Sequence, residues 1–423
     1  MASTELTILE LGPKGDGVHQ GSRGRIYVDR AAPGDRLSVR IRKERAGVPR
    51  GEILRVLDPS PVRQKPPCIH YDRCGNCTLQ HVNEAFYRAW KIELVREALH
   101  KQSVRPLKWL EPVFLGGNNR RRATFAARKD RGGIVLGYYR RRSREIGEID
   151  SCLVADPRLL VLRGAIRPLL GLLLTAGTTA DLFLQIVGEA AELVVTGPVG
   201  RRGEPDAPVR AAVARLLATT PLVRVGWRAH ENEVIETLSS KGPLTAEFGP
   251  LKVSLPPAAF LQPTREGESV LVGEVLAALP GEGRFADLFS GCGTFSGPML
   301  TRGPVDAYES VLTSLRALAK AGAGSPLKAL RRDLFRNPLG REELNRYDTV
   351  VFDPPRGGCP EQAAELAGAK TATVVGVSCN PATFARDART LCEGGYRLRS
   401  VRIIDQFLWS HHVELVGVFS RGG

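Results

Sequence analysis

The stretch FADLFSGCGTFSG, residues 285–297, decides the fold of the C-terminal part of this 423-residue chain. It opens as a short apolar strand, continues as a glycine-rich loop and enters a helical pattern. Glycines let the backbone approach a ligand closely, and a helix N-terminus favours a negative group. Glu309, at the end of the next strand pattern, can accept hydrogen bonds from both hydroxyls of a ribose. The stretch therefore predicts a site for a nucleotide-like cofactor.

The first residue of the loop indicates which cofactor is bound. Asp287 places a carboxylate where a pyrophosphate would be repelled but a cationic sulfonium or amino group would not. The glycine spacing also lacks the compact G-x-G-x-x-G arrangement that is typical of dinucleotide sites. Both features favour S-adenosylmethionine, with NAD as the alternative.

From about residue 256, strand-length apolar runs alternate with helical patterns, which predicts a doubly wound parallel sheet. Ligands of such sheets lie outside the carboxyl ends of the strands. Two of these strands end in chemically distinctive residues. Asp353 is followed by Pro-Pro, which fixes a stiff turn, and Cys379 follows Ser378 and precedes Asn-Pro. Both side chains are expected to open onto the cofactor crevice.

Cys379 next to a methyl donor suggests a specific reaction. Carbon 5 of uracil is too weak a nucleophile to attack a methyl group, but a thiolate that adds to carbon 6 makes carbon 5 enolate-like. A base must then remove the carbon 5 proton so that the thiol can leave. The candidate base is Glu414, one acid within a short apolar strand, where desolvation would raise its pKa.

The N-terminal part of the chain has the character of a nucleic-acid-binding protein. Residues 1–60 contain short strand patterns and turns, as in a small β-barrel, and residues 1–65 carry a net charge of +5. Residues 120–145 carry a net charge of +8 with interleaved aromatics, which favours phosphate contacts and base stacking. Between them, residues 83–100 have helical periodicity. Its apolar positions are Phe86, Trp90, Leu94 and Leu99.

A cysteine cluster follows the barrel pattern. Cys68, Cys74 and Cys77 lie in a Pro-bounded loop, and Cys152 comes much later. Four thiolates suit either tetrahedral zinc or an iron–sulfur cluster, and the spacing alone does not decide between the two.

Composition excludes several classes of protein. The chain is 43% hydrophobic and 25% charged, which is too apolar for a disordered protein, and its net charge of +15 favours an RNA partner. Eight cysteines are too few for a secreted disulfide scaffold. The most apolar stretch, residues 159–174, is interrupted by arginines and predicts a core helix. A cytoplasmic protein with no membrane segment and no obligate protein partner is expected.

Five motifs together resemble a known family, the RNA uracil-5-methyltransferases of the iron–sulfur type. In chain order they are Cys68-x5-Cys74-Gly-Asn-Cys77, Asp287-Leu-Phe-Ser-Gly-Cys-Gly, Asp353-Pro-Pro-Arg-Gly-Gly, Ser378-Cys-Asn-Pro and His412-Val-Glu414. The resemblance covers nearly the whole chain.

The resemblance implies a role for each matching residue. Cys379 is similar to the nucleophile and Glu414 to the proton-abstracting base. Thr294 and Asp333 stand where the family often has Asn. The implied ligands of a [4Fe-4S] cluster are Cys68, Cys74, Cys77 and Cys152. The implied cofactor-binding residues are Gln262, Phe289, Thr294, Glu309, Asp333 and Asp353.

The implied architecture has three parts, and the overall class is α/β. Residues 1–62 would form an OB-like TRAM β-barrel that binds RNA, residues 63–255 a central α+β iron–sulfur domain, and residues 256–423 a Rossmann-like S-adenosylmethionine-dependent methyltransferase domain. The segment 86–118 is expected to pack on the last of these.

The expected product is 5-methyluridine in 23S rRNA, with the T-loop of tRNA as the alternative substrate. Three other functions remain open at this point. One is an adenine N6- or guanine methyltransferase, which Asp353-Pro-Pro favours and which Cys379 and Glu414 do not suit. A non-catalytic RNA-binding protein with a relic cofactor pocket and an NAD-dependent oxidoreductase are the other two.

Overall fold

The computed structural model describes residues 3–22, 24–43, 48–200 and 204–421. Its fold is mixed α/β, as the sequence predicts. Three large sheets follow one another along the chain, and each has its own group of buried hydrophobic side chains. Within the described ranges, no helix is both long and apolar enough to cross a membrane.

The first sheet has six strands in the order 1-5-6-4-3-2, and only the pair formed by the fourth and sixth strands is parallel. Leu37 and Val39 are fully buried, whereas Ser38 between them is only partly buried, so the period-two pattern of this strand faces one core. The strands are β1 (Thr4–Thr7), β2 (Glu10–Leu11), β3 (Gly17–Gly21), β4 (Gly24–Val28), β5 (Arg36–Lys43) and β6 (Pro49–Asp58).

A long helix, α1 (Glu84–Lys101), follows the cysteine loop, and two short strands, β7 (Lys108–Trp109) and β8 (Val113–Phe114), come next. The helix lies where the periodicity of residues 83–100 predicts it. Its buried stripe differs from that pattern, because Phe86, Trp90 and Leu94 are only partly buried. The buried side chains are Tyr87, Lys91, Val95 and Leu99.

The second sheet has seven strands in the order 11-10-9-12-13-14-15, and two helices pack against it. The predicted core helix forms at α2 (Pro157–Leu173), and its apolar stripe is fully packed. The second helix, α3 (Ala207–Thr219), connects a parallel strand pair. The strands are β9 (Arg122–Asp130), β10 (Gly133–Tyr139), β11 (Ile146–Glu148), β12 (Thr179–Val187), β13 (Ala190–Thr196), β14 (Leu222–Arg228) and β15 (Glu236–Ser240).

A small hairpin, β16 (Thr245–Phe248) with β17 (Leu251–Ser254), leads to the third sheet. That sheet begins at the glycine-loop strand. Its strands are β18 (Phe285–Leu288), β19 (Val305–Glu309), β20 (Leu327–Arg331), β21 (Thr349–Phe352), β22 (Thr373–Ser378), β23 (Tyr396–Asp405) and β24 (Glu414–Arg421). The helices around it are α4 (Arg265–Ala278), α5 (Ser296–Met299), α6 (Leu312–Ala321), α7 (Arg341–Leu344), α8 (Pro360–Gly368) and α9 (Pro381–Glu393).

The strand order of the third sheet is 20-19-18-21-22-24-23-7, with β8 also pairing with β23. Strands β18 to β22 are parallel, and β24 runs antiparallel between β22 and β23. α1 packs against α9, so a segment from before the second sheet covers one end of the third. The antiparallel strand places its N-terminus at the edge where the parallel strands have their carboxyl ends.

Candidate active site

The sheet topology brings the two predicted catalytic residues together. Ser378 is paired with Leu415 in the antiparallel ladder of β22 and β24. β22 ends at Ser378, so Cys379 is the first residue beyond the ladder, and Glu414 is the first residue of β24. Both therefore lie at the same end of this strand pair, and the Glu414 carboxylate is close enough to raise the pKa of the Cys379 thiol. The two groups are neighbours in space, although 35 residues separate them in sequence.

These two residues line a cavity of about 920 Å³ at the carboxyl edge of the sheet. The cavity wall contains every predicted site residue except Asp333. It is formed by Cys379 and Glu414, by the cofactor candidates Gln262, Phe289, Thr294, Glu309 and Asp353, and by Cys68, Cys74, Cys77 and Cys152.

Asp333 is exposed and lies in the turn after β20. Its carboxylate accepts hydrogen bonds from the backbone N–H groups of Phe335 (3.1 Å) and Arg336 (3.3 Å). Phe335 does line the cavity, and its ring centroid lies 5.4 Å from that of Phe289. Asp333 thus shapes the turn that presents an aromatic ring, which the sequence analysis did not identify.

The glycine loop has the backbone geometry of a ligand-binding turn. Gly291 and the non-glycine residue Phe289 both have positive φ, at 55° and 63°. The Glu309 carboxylate accepts from the N–H of Gly291 at 2.9 Å and from that of Val311 at 2.7 Å, which fixes its position at the strand end. Asp287 is fully buried beneath the loop, and burial raises its pKa to about 7.

Burial and neighbouring charges raise the pKa values of the acidic groups in the cavity above their values in water. Burial raises the pKa of the Cys379 thiol to about 11, and the carboxylates of Glu414 and Asp353 act in the same direction. Desolvation also raises the pKa of Glu414 and of Asp353, and the charge of Asp353 further raises that of Glu414. Arg356 opposes the shifts of both Cys379 and Glu414. Such perturbed groups in one cleft are typical of catalytic sites.

One buried residue that contacts the cavity wall had no signal in the sequence. Gln406 is buried and hydrogen-bonded to Glu414 (3.1 Å) and to Gln262 (2.9 Å). His412 Nε2 accepts a hydrogen bond at 3.1 Å from the Arg356 guanidinium, which can only donate, and burial lowers the pKa of the imidazole to about 3. A lone glutamine has no local pattern that distinguishes it from a surface residue.

The four predicted ligand cysteines share one end of the cavity. Burial raises the pKa of Cys74 to about 11 and that of Cys77 to about 12, and the neighbouring thiols add to both shifts. The loop packs closely on β10, because a Cβ on Gly75 would lie 2.7 Å from the carbonyl oxygen of Tyr139. In the part of the chain that the structure describes, no three His, Cys, Asp or Glu side chains are grouped as the ligands of a metal ion.

The arginines of residues 120–145 do not all form an open basic surface. Arg141 pairs with Asp16 at 2.8 Å and with Asp29 at 2.7 Å, which ties the second sheet to the first. Arg121 pairs with Glu268 at the start of α4. Part of the charge that was expected to bind RNA therefore holds the three sheets together, because these arginines pair with carboxylates that are buried or partly buried.

Comparison with known proteins gives one consistent family. Residues 329–421 match the family model described as tRNA (Uracil-5-)-methyltransferase. An uncharacterized RNA methyltransferase of Brucella suis is 39% identical over 422 residues, covering 99% of this chain and 98% of that protein. A 23S rRNA (uracil(1939)-C(5))-methyltransferase of Chromohalobacter salexigens is 30% identical over 434 residues, covering 98% of this chain and 89% of that protein.

One solved structure is similar over the whole length. It is the Pyrococcus abyssi tRNA (uracil-54, C5)-methyltransferase in complex with S-adenosyl-L-homocysteine, with a TM-score of 0.74 over 98% of this chain and 100% of that chain. At 22% identity, this likeness shows that the fold is shared.

Proposed function

Since the chain belongs to the RNA uracil-5-methyltransferase family, and is thus an S-adenosylmethionine-dependent RNA (uracil-C5)-methyltransferase, we propose that Cys379 is its nucleophile and Glu414 its base. The observation that carries this proposal is that both residues lie at the same end of the β22–β24 pair and line one cavity at the carboxyl edge of the third sheet.

The proposed sequence of steps accounts for each proton. The Cys379 thiol gives its proton to the neighbouring Asp353 carboxylate as its sulfur adds to carbon 6 of the uracil, so that Glu414 stays ionised. When bound, S-adenosylmethionine would supply the methyl group to carbon 5 and would leave as S-adenosyl-L-homocysteine. The ionised Glu414 then removes the proton from carbon 5, and the Cys379 sulfur leaves carbon 6 as the double bond re-forms. The raised pKa of Glu414 suits a base that acts near neutral pH.

We propose that Gln262, Phe289, Thr294, Glu309 and Asp353 contact the cofactor, because all five line the same cavity. Phe335 would contact the cofactor in place of Asp333, because Phe335 lines the cavity and Asp333 does not. The tilted ring pair of Phe289 and Phe335 suits contact with the adenine ring, and Glu309 suits the ribose hydroxyls.

We propose that Cys68, Cys74, Cys77 and Cys152 hold a [4Fe-4S] cluster. Their convergence on one cavity end from two distant parts of the chain supports this assignment, since thiolates are the ligands that such clusters use. The proposed reaction transfers no electrons, so the cluster would shape the RNA-facing end of the cavity.

The three-part division into residues 1–62, 63–255 and 256–423 is likewise a proposal. Separate hydrophobic groups in the first, second and third sheets support it. The first part would be the TRAM barrel, and it would bind RNA in the cytoplasm together with the central part. The pairing of β7 and β8 with β23 supports the assignment of segment 86–118 to the methyltransferase part.

The RNA that we propose as substrate is 23S rRNA. The relative from Chromohalobacter salexigens, which is named for that substrate, is 30% identical over nearly the whole chain. The T-loop of tRNA is the second candidate, because the Pyrococcus abyssi enzyme shares the fold.

A single assay tests both the chemistry and the substrate. Anaerobically purified protein is incubated with labelled S-adenosylmethionine and either a 23S rRNA or a tRNA transcript, and the labelled nucleoside is identified after digestion. We expect 5-methyluridine in the 23S transcript and none with Cys379→Ala. Full activity of Cys379→Ala would refute the proposed mechanism, and label in tRNA alone would move the substrate to the T-loop.

A further inference from the structure

Gln406 occupies the centre of a buried polar chain. The residue is 3% exposed, and it directly follows the last residue of β23. Its amide nitrogen donates to Gln262 Oε1 at 2.9 Å and to Glu414 Oε2 at 3.1 Å. Gln262 in turn donates from Nε2 to Asp353 Oδ2 at 3.2 Å. The chain thus links the proposed base to the cofactor side of the cavity.

The amide nitrogens of Gln406 and Gln262 face the two carboxylates, at Glu414 Oε2 and Asp353 Oδ2. Both carboxylates require this arrangement in the ionised state in which they can take up a proton, because an ionised carboxylate only accepts hydrogen bonds. The second N–H of Gln406 then goes to the Gln262 oxygen. The oxygen of Gln406 faces the Thr264 hydroxyl at 3.5 Å. Within this series of hydrogen bonds, Gln262 donates only one of its two N–H groups. The other N–H belongs to a residue that lines the cavity.

We propose that Gln406 is a positioning residue that holds Gln262 with an N–H donor toward the target base and thereby selects uracil over cytosine. This inference rests on the proposed function. Glu414 would act at carbon 5, and the neighbouring ring atom is carbon 4. Uracil carries a carbonyl there, which accepts a hydrogen bond, whereas cytosine carries an amino group, which donates. An N–H of Gln262 can donate to the uracil carbonyl, whereas it would face another donor in the amino group of cytosine.

The packing around Gln406 shows that its place is closely constrained. Gly267, in the first turn of α4, lies against its amide, and a Cβ on that glycine would collide with Gln406 Oε1 and lie 2.7 Å from Thr264 Oγ1. An alanine at this position would therefore displace Gln406 without adding a side chain to the cavity wall. Gly273 in the same helix is exposed, and a Cβ there meets nothing within 4 Å.

Gln406 also affects the base. Its hydrogen bond lowers the pKa of Glu414, against the larger effect of desolvation and the effect of Asp353. The other charged or titratable groups that face Glu414 are Arg122, Arg356 and Cys379. Because none of these changes in a Gln406 variant, loss of the amide donor favours the protonated form of Glu414. The pH midpoint at which Glu414 ionises should therefore be higher in such a variant than in the wild type.

The test compares three variants with the wild type: Gln406→Leu, Gly267→Ala and the matched control Gly273→Ala. The substrate is the transcript that accepts the methyl group, with uridine or cytidine at the methylated position. Single-turnover rates are measured between pH 6 and 9, and thermal unfolding checks the fold. A site built to hydrogen-bond one group discriminates by about 10⁴-fold, so we expect the uridine preference to fall by at least about tenfold in the first two variants.

The pH midpoint should also rise in Gln406→Leu and Gly267→Ala, and Gly273→Ala should match the wild type in both measurements. Should Gln406→Leu not fold, Gly267→Ala carries the same comparison. If the folded variants keep the uridine preference and the pH midpoint of the wild type, the inference about Gln406 is refuted, whereas the proposed function is not. A wild-type protein that methylates no transcript overturns the proposed function and this inference with it.

Discussion

Lys91→Met is expected to destabilise the protein strongly, because Lys91 is a fully buried cation. Its ammonium donates to Asp405 Oδ1 at 2.9 Å and to the backbone carbonyl of His412. Asp405 is 1% exposed and also accepts from the Tyr87 hydroxyl. One cation therefore joins α1 to both ends of the loop between β23 and β24, and the proposed base begins the second of these strands.

The magnitude follows from what the substitution leaves behind. Met has a volume similar to that of Lys, so little cavity forms, but the Asp405 carboxylate loses its counter-charge inside the protein. Removing one partner of a buried ion pair costs about 3–5 kcal/mol. Since the Tyr87 hydroxyl and the Phe407 N–H still donate to Asp405, we expect about 3 kcal/mol.

Lys101→Met in the same helix is the matched control. Lys101 pairs with Glu97 at 2.9 Å, but the two side chains are 69% and 55% exposed. Such a surface pair contributes at most about 0.5 kcal/mol. Urea unfolding followed by circular dichroism measures both variants. The double variant Lys91→Met/Asp405→Asn should recover part of the loss, because no buried charge then lacks a partner.

The reasoning fails if Lys91→Met unfolds within 1 kcal/mol of Lys101→Met, since the buried pair would then contribute no more than an exposed one. It also fails if the double variant is less stable than Lys91→Met, because the cost would then not come from the uncompensated carboxylate.

Four further outcomes are expected. Glu414→Gln should accumulate a covalent RNA adduct on a denaturing gel, because the carbon 5 proton stays in place; absence of the adduct would argue for another base. Methyl transfer should rise with pH from 7 to 9, because burial raises the pKa values of Asp353 and Glu414 and both carboxylates must be ionised to accept protons; a flat profile would contradict this. Phe335→Ala should weaken S-adenosylmethionine binding by calorimetry at least about tenfold, whereas Asp333→Ala should have a smaller effect, since only Phe335 reaches the cavity. Cys68→Ser should lower the iron content of anaerobically purified protein; unchanged iron would remove this residue from the ligand set.

Features that depend on neighbours in sequence were readable from the sequence. The glycine loop after β18, the Pro-Pro turn after Phe352 and the helix over residues 84–101 are set by backbone conformations and by periodicity, which are local properties. The order of the five motifs was sufficient to indicate the family and to select Cys379 and Glu414. Their proximity then follows from one antiparallel strand inserted into a parallel sheet.

Only the tertiary structure decided which polar residues are buried and what they contact. Lys91 lies in a helix whose apolar pattern selects Phe86, Trp90 and Leu94, yet it is fully buried because Asp405 arrives from the far end of the chain. Gln406 gains its position from Glu414 and Gln262 in the same way. A charge or an amide is stable inside a protein only with a partner, and that partner is brought near by the fold and not by the sequence.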